Sequence, residues 1–258
     1  MSDVLKVGSR SPEVGNWQRF LNDRAVGDWQ ELPLVEDEAY GQRTDSATRR
    51  WQVLEGIEPT GQVSAAERAR AREQGFVPFV QARGYTPVYP GRRVVDVLVV
   101  HTMENAETPD AAESVALWFA GRTRFPPPKA SAHYCVDPDS VVQCVREADV
   151  AWHAPGANHN GIGLEHAGRA SQTNAGWRDD ASLAILRRSS ELAARIARRH
   201  QIPAVLLGAD DLRAGMRGFC GHDAVTKAFP GPGRTHWDPG PAFPWTDYLR
   251  LVEARLAG

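Results

Sequence analysis

The chain has 258 residues, which is enough for one large domain or two smaller ones, and we expect two. Its 30 basic and 32 acidic residues give a net charge of -2 without a clustered basic surface, so nucleic acid is not an expected partner. No stretch approaches the roughly 18 apolar residues that span a bilayer, and the first residues lack the apolar segment of a secretory signal. We therefore expect a protein that is made in the cytoplasm, does not insert into a membrane and acts as a monomer.

Residues 1–75 are predicted to form a small helical domain of three short helices. Two groups of apolar residues recur at helical spacing: Val14, Trp17, Phe20 and Leu21, and then Ala47, Trp51 and Leu54. Between these groups Gly41 permits a tight turn, and Thr44 or Asp45 is the expected cap of the second helix. The third helix is predicted to end at Gly75.

Residues 76–93 carry three prolines and two glycines without a sustained period, which predicts a linker that wraps onto a second domain of residues 94–258. That domain opens with an apolar, β-branched run at residues 94–100, typical of a strand buried on both faces. The strand delivers His101 at its carboxyl end, where α/β proteins commonly place functional groups.

The rest of the second domain alternates helices and strands. We predict a helix at 111–120, a hairpin around the turn at 137–140, a strand at 161–168, a long helix at 182–200 and a strand at 204–208. The last strand is expected to lead into a loop that carries His222. The predicted fold class is α/β, with a mixed β-sheet flanked by helices.

Three separated segments, VVHTME, FCGHD and THWDPG, supply His101, His222 and Asp238. Two imidazoles and one carboxylate, with a fourth position left to water, form the ligand set of a catalytic zinc site, so the residues point to hydrolytic chemistry. The three cysteines make no paired disulfide framework. Cys220 lies two residues before His222, which leaves it open as a substitute ligand or as a buried apolar thiol.

Five segments of the second domain resemble, in order, the zinc-dependent N-acetylmuramoyl-L-alanine amidases, which share their fold with the peptidoglycan recognition proteins. The segments are VVHT, SAHYCVDPDSVVQCV, AWHAPGANHNGIGLEHAG, GHDAV and DPGPAFPW. The resemblance implies that His101, His222 and Asp238 hold one Zn²⁺ per chain, in a family that admits Asp or Cys as the third ligand. It also implies that zinc lowers the pKa of its bound water toward about 7.

The same resemblance implies two catalytic residues. Glu165 matches a glutamate that many bacterial members use as the general base, although a strand glutamate that only orients a neighbour is the alternative. His236 stands where many relatives have a lysine that stabilises the oxyanion; an imidazole can do the same, or it can be a loop residue beside the metal site.

Other histidines and aromatic residues fall in the family's segments. Four residues are expected to line the substrate groove or to brace it: Trp152, His153, Asn160 and His133. His159, His166 and His200 are expected to be solvated or structural.

The first domain resembles the peptidoglycan-binding domain of bacterial and phage wall hydrolases. The matching residues are Val14, Trp17, Gln18 and Leu21, then Tyr40, Gly41 and Thr44, then Trp51 and Gln52, and last Gly56, Thr60 and Gly61. The resemblance implies binding to cell-wall peptidoglycan, while a helical module that merely packs on the second domain is the alternative. Trp17 and Trp51 are expected in the core.

The two resemblances together imply an endolysin-like amidase, of a phage or prophage, that cuts the amide between N-acetylmuramic acid and the L-alanine of the stem peptide. Such an enzyme would reach the wall through a separate membrane pore. Three alternatives stay open: a non-catalytic peptidoglycan recognition protein of the same fold, a zinc carboxypeptidase acting on the stem peptide, and a cytosolic amidase that recycles wall fragments.

Overall fold

The computed structural model describes residues 4–89, 91–231 and 235–257, which divide into two compact units, one ending at Phe79 and the other beginning at Val80. The segment predicted as a linker is divided between them. Phe76 is buried in the core of the first unit, whereas Ala82 is buried in the core of the second.

The first unit contains three helices: α1 (Pro12–Asp23), α2 (Gln42–Leu54) and α3 (Ala65–Glu73). Trp17 and Trp51 meet edge to face in its core, with ring centroids 5.2 Å apart, and both are almost fully buried, as predicted. Trp17 Nε1 donates to Thr48 Oγ1 at 2.9 Å, so the indole is satisfied inside the core.

Local sequence explains where these helices begin. Ser11 caps α1 by accepting a hydrogen bond from the backbone N–H of Val14, and Ser64 with Glu67 forms a capping box on α3. The N-cap of α2 is Gly41, so the prediction of Thr44 or Asp45 as its cap is wrong. Thr44 lies inside the first turn and accepts a hydrogen bond from Gln18 at 3.1 Å, a contact that a local pattern does not reveal.

The second unit is built on a five-stranded sheet, whose strands are β2 (Val97–Thr102), β3 (Tyr134–Val136), β4 (Val141–Gln143), β6 (Gly161–His166) and β7 (Gly218–Gly221). Their order in the sheet is β4-β3-β6-β2-β7, which confirms the mixed α/β class. Strands β3 and β4 are antiparallel, and the other neighbours are parallel. Two short strands, β1 (Tyr85–Thr86) and β5 (Val150–Ala151), form a separate antiparallel pair.

Helices cover both faces of this sheet: α4 (Ala111–Phe119), α5 (Asp180–His200), α6 (Ala209–Arg213), α7 (His222–Ala228) and α8 (Trp245–Ala257). Side chains alternate along β2, so Val97 and Val99 share the face of His101 and pack in one cluster with Val225 of α7. Helices α5 and α8 lie against the opposite face, where Tyr248 contacts the ring of Phe219. None of the described helices combines the length and apolar character needed to cross a bilayer.

Two predicted features of this unit differ from the structure. At residues 204–208 a single bridge joins Leu206 to Phe219 instead of a full strand, because α6 begins directly after Gly208 and leaves no further pairing. His222 lies on the first residue of α7, not in a loop. Both differences come from short helices whose few residues give too little periodicity to be recognised.

Candidate metal centre

Adjacent parallel strands bring the candidate residues together at one edge of the sheet. In the register of β2 with β6, His101 is paired with Glu165, and both side chains lie on the same face. His222 follows β7, the neighbour of β2 on its other side. The Asp238 carbonyl accepts a hydrogen bond from the backbone N–H of Asp223 at 3.1 Å, which ties the loop of Asp238 to the start of α7.

The two histidines and the aspartate form a compact group. One ligand atom from each of His101, His222 and Asp238 lies within 4.8 Å of the others, and all three residues are buried. His101 Nδ1 is 2.9 Å from Asp238 Oδ2, and His222 Nδ1 is 3.4 Å from Asp238 Oδ1. A tetrahedral ion with bonds of about 2.0–2.1 Å holds its ligand atoms about 3.3 Å apart, so these separations fit one zinc-sized ion.

The electrostatics of the group also suit a cation. Burial lowers the pKa of His101 despite the opposing effect of Asp238, which favours a neutral imidazole with a lone pair. Burial alone would raise the pKa of Asp238, but hydrogen bonds with His101 and His222 hold it far below its usual value. Neutral imidazole and ionised carboxylate are the states in which these groups bind a metal.

Glu165 supplies a second carboxylate beside the triad. Its Oε2 is buried and has no hydrogen-bond partner among the described residues. Burial raises the pKa of Glu165 well above its ordinary value, and the carboxylates of Asp238 and Glu104 raise it further. A buried acid left unpaired is costly, and such groups in clefts mark functional sites. This orphaned oxygen, on a residue that lines the same cavity as the triad, agrees with a site that binds a cation and a polar reactant.

His236 lies at the outer edge of the group. Its ring stacks on that of His222, with centroids 4.2 Å apart and an angle of 9° between the planes. Its Nδ1 is 3.7 Å from Asp238 Oδ1, while 59% of the side chain stays exposed. His236 lies outside the triad but can present a ring nitrogen to a molecule bound beside it.

The triad opens into a cavity of about 370 Å³, a size suited to a small part of a larger substrate. Besides the triad, its lining includes Glu165, His236, Trp118, Phe119, Lys129, Trp152 and His153. Trp152 is 39% exposed, and its Nε1 donates to Thr86 Oγ1 at 2.9 Å, which fixes the indole at the rim. His153 turns both ring nitrogens to protein atoms, with Nδ1 3.1 Å from His101 Nε2.

Two of the predicted groove residues do not line this cavity. His133 is fully buried: its Nδ1 accepts from the backbone N–H of Gly163 at 3.0 Å, and its Nε2 lies 3.1 Å from the Asp149 carbonyl. Asn160 precedes β6, at the end of the sheet away from His101, and donates to Asp96 Oδ2 at 3.2 Å. Both side chains brace the unit.

The structure also places the remaining cysteine and histidine candidates. Cys220 lies in the apolar cluster beneath α7, outside the triad, and burial raises the pKa of its thiol. His159 is exposed, whereas His166 is buried between the carbonyl of His101 and Ser189 Oγ. His200 Nε2 lies 2.7 Å from a carboxylate oxygen of Glu147.

Sequence reasoning missed several cavity residues, among them Glu104, Lys129 and Trp118. Glu104 has a positive φ of 54°, and its Oε1 accepts hydrogen bonds from Thr102 Oγ1 and the Ala170 N–H. Its position directly after the strand that carries His101 was an available signal. Lys129 follows three prolines, whose backbone direction a local pattern does not predict.

Comparisons with known proteins identify the family of this chain. The sequence profile of the family described as N-acetylmuramoyl-L-alanine amidase matches residues 90–241. N-acetylmuramoyl-L-alanine amidase A of Achromobacter lyticus is 29% identical over 168 residues, which cover 60% of this chain and 81% of the relative.

A solved structure of a hydrolase shares the fold. The hydrolase AmiA of Staphylococcus aureus, solved in complex with its ligand, superposes with a TM-score of 0.51 at 15% identity and covers 75% of this chain and 91% of its own. The endolysin amidase LysCS of Clostridium intestinale gives a TM-score of 0.46 at 14% identity, with coverage of 69% and 95%. At 15% identity, the similarity to the Staphylococcus aureus protein supports the α/β fold and does not bear on function.

Proposed function

Because this chain belongs to the N-acetylmuramoyl-L-alanine amidase family, and is such an amidase, we propose that it works with one Zn²⁺ held by His101, His222 and Asp238. The observation that carries this proposal is the approach of three buried ligand atoms within 4.8 Å of one another. The donor set of two nitrogens and one carboxylate oxygen, with room for a reactant on the cavity side, is that of catalytic zinc. When bound there, zinc supplies Lewis-acid chemistry that lowers the pKa of water and polarises a carbonyl.

Glu165 is the proposed general base. Glu165 lines the same cavity as the triad, and its Oε2 has no hydrogen-bond partner among the described residues. Its carboxylate can therefore accept the proton of the attacking water and then return it to the departing amine of L-alanine. Burial raises the pKa of Glu165, which makes its carboxylate a stronger base than an exposed one.

His236 is the proposed donor to the oxyanion that forms at the amide carbonyl. Its exposed ring edge lies beside the triad, and the stacking on His222 limits the directions in which its nitrogens point. A positioned donor of this kind stabilises charge that appears only in the transition state.

The first unit is proposed to bind the peptidoglycan polymer. The residues that carry its resemblance are largely in the core, as Trp17 and Trp51 show, so they account for its fold and not for a binding surface. Its exposed apolar residues Trp29, Val53 and Leu54 border a cavity of about 470 Å³ beside α2, and an exposed tryptophan is a common platform for sugar rings. We assign the polymer contact to this cavity.

The two-unit organisation supports an endolysin. A wall-binding unit raises the effective concentration of the insoluble substrate around the catalytic unit without any new catalytic contact. In this proposal the enzyme is made in the cytoplasm, reaches the wall once a separate pore has opened and lyses the cell.

The test is a metal titration. Metal-free enzyme should release no peptide from purified wall, and one equivalent of Zn²⁺ should restore the release. Asp238→Ala should bind less than one equivalent and stay inactive. A metal-free enzyme with the full rate, or an Asp238→Ala variant that retains stoichiometric zinc and activity, would reject the proposed metal site.

A further inference from the structure

A chain of hydrogen bonds runs from the backbone of β6 to the candidate metal triad. His153 Nε2 lies 3.3 Å from the Gly161 carbonyl, and His153 Nδ1 lies 3.1 Å from His101 Nε2. The other nitrogen of His101, Nδ1, is the one that faces Asp238 at 2.9 Å. Three polar contacts in series therefore join Gly161 to the triad through two imidazole rings.

The first acceptor determines where each hydrogen must lie. A carbonyl oxygen only accepts, so His153 Nε2 must donate to Gly161, and a neutral His153 then has its lone pair on Nδ1. His101 Nε2 must in turn donate to that lone pair, which leaves the lone pair of His101 on Nδ1, toward Asp238. An imidazole lone pair facing a carboxylate is repulsive unless a cation lies between them.

The surroundings of His153 are shaped to hold its ring in place. A Cβ at Gly163 would lie 2.6 Å from His153 Cγ, so only glycine leaves room for the imidazole against β6. Asn158 Oδ1 accepts hydrogen bonds from the backbone N–H groups of His153 and Ala154 at 3.0 and 2.6 Å.

Arg93 binds the Gly161 carbonyl, where this series of hydrogen bonds begins. Its Nη2 donates to the same Gly161 carbonyl at 2.5 Å, and the guanidinium also binds the carbonyls of Glu147, Asn158 and His159. The carbonyl that orients His153 is therefore itself fixed by a half-buried cation that also binds carbonyls on both sides of β5.

We infer that His153 is a positioning residue for zinc rather than a substrate contact: it accepts from His101 Nε2 and so presents the lone pair of His101 Nδ1 to the metal. This inference rests on the proposed zinc site. Groups that orient a metal-bound histidine typically contribute about 10–100-fold to metal affinity, and we expect an effect of that size.

Two substitutions separate the hydrogen bond from the packing. His153→Leu fills much of the same space but offers no acceptor, whereas the Oδ1 of His153→Asn occupies the place of Nδ1 and can still accept from His101. We expect His153→Leu to raise the Kd for Zn²⁺ by about 10–100-fold in competition with a chromophoric chelator, and His153→Asn to raise it by less than about tenfold. Equal affinities for wild type and His153→Leu, or an asparagine variant as weak as the leucine variant, would overturn the inference.

A spectroscopic measurement keeps the inference testable if the leucine variant does not fold. In zinc-loaded wild-type protein labelled with ¹⁵N-histidine, His153 should carry its proton on Nε2 and none on Nδ1, and His101 should carry its proton on Nε2. A proton on His153 Nδ1 would contradict the inference. Cleavage of purified wall by the wild type is measured separately. If the wild type cleaves the wall but His153→Leu binds zinc as tightly as the wild type, this inference alone is rejected. If zinc affinity depends on His153 but the wild type does not cleave the wall, the proposed function alone is rejected.

Discussion

His101 and Glu165 are direct neighbours in the parallel pairing of β2 with β6, and their side chains lie on the same face of the sheet. A proposed metal ligand and the proposed general base are thus held side by side by backbone hydrogen bonds instead of by flexible loops. In the proposed function this pairing lets the base work next to the metal with little reorganisation.

Replacing the acid tests its role as a base. We expect Glu165→Gln to retain one equivalent of zinc and to lose about 10²–10⁴-fold in kcat, because the amide cannot accept a proton. Glu104→Gln is the matched control: it removes another carboxylate of the same cavity but keeps an Oε1 acceptor for the Ala170 N–H, and it should retain most of the rate. A near-normal rate in Glu165→Gln would remove the assignment.

His236 should act mainly on the chemical step. Loss of an oxyanion donor typically costs about 10²-fold or more in kcat, so we expect His236→Ala to fall by that factor with little change in KM. His236→Lys, which restores the residue that the family resemblance puts at this position, should recover much of the rate. Steady-state kinetics on a soluble muropeptide measures kcat and KM separately. A His236→Ala variant that changed KM but not kcat would contradict the assignment.

Two buried histidines predict loss of stability in acid. Burial lowers the pKa of His133 to about 3 and that of His166 to about 4, both below the value of about 6.5 for an unfolded chain. Between pH 6.5 and 4 the unfolded chain therefore binds protons that the folded chain does not, and stability falls as the pH falls.

We expect this loss to reach about 2 kcal/mol per histidine by pH 4.5, measured by denaturant unfolding of metal-free protein. His133→Asn should lower the slope of stability against pH, since its Oδ1 still accepts from Gly163 without titrating. His159→Gln, at an exposed position, is the control and should leave the slope unchanged. A wild-type stability that is flat from pH 7 to 4.5 would be inconsistent with neutral buried rings.

The first unit should lose wall binding when its exposed tryptophan is removed. Trp29 is 56% exposed and borders the cavity beside α2, so we expect Trp29→Ala to weaken co-sedimentation with purified wall by about tenfold without unfolding the unit. Val35→Ala, at a position of the same unit that is 68% exposed but does not line that cavity, should bind normally. Unchanged binding of Trp29→Ala would move the polymer contact elsewhere.

Sequence reasoning predicted the parts of the fold that have strong local patterns. The buried strand before His101, the hairpin at the turn 137–140 and the long helix α5 each have a clear period, and all three are present. The strands β1 and β5 have two residues each, and α6 has five, too few to show a period. Helix α8 was not predicted either.

The candidate site divides in the same way. The ordered segments of the family resemblance were enough to group His101, His222 and Asp238, and the structure brings one ligand atom from each within 4.8 Å of the others. The segments could not distinguish the role of His153 from that of His133, since both stand in similar sequence. In the structure His153 contacts His101, whereas His133 binds the backbone of β6. That distinction depends on side-chain direction across several strands.

The central claim is that this zinc-dependent enzyme cuts one amide bond. Mass spectrometry of purified wall digested by zinc-loaded enzyme tests it most directly. We predict intact glycan strands whose muramic acid residues carry free lactyl carboxylates, together with stem peptides that begin with a free L-alanine amine. Fragments cut within the stem peptide or between the sugars, or binding with no new ends at all, would contradict the account.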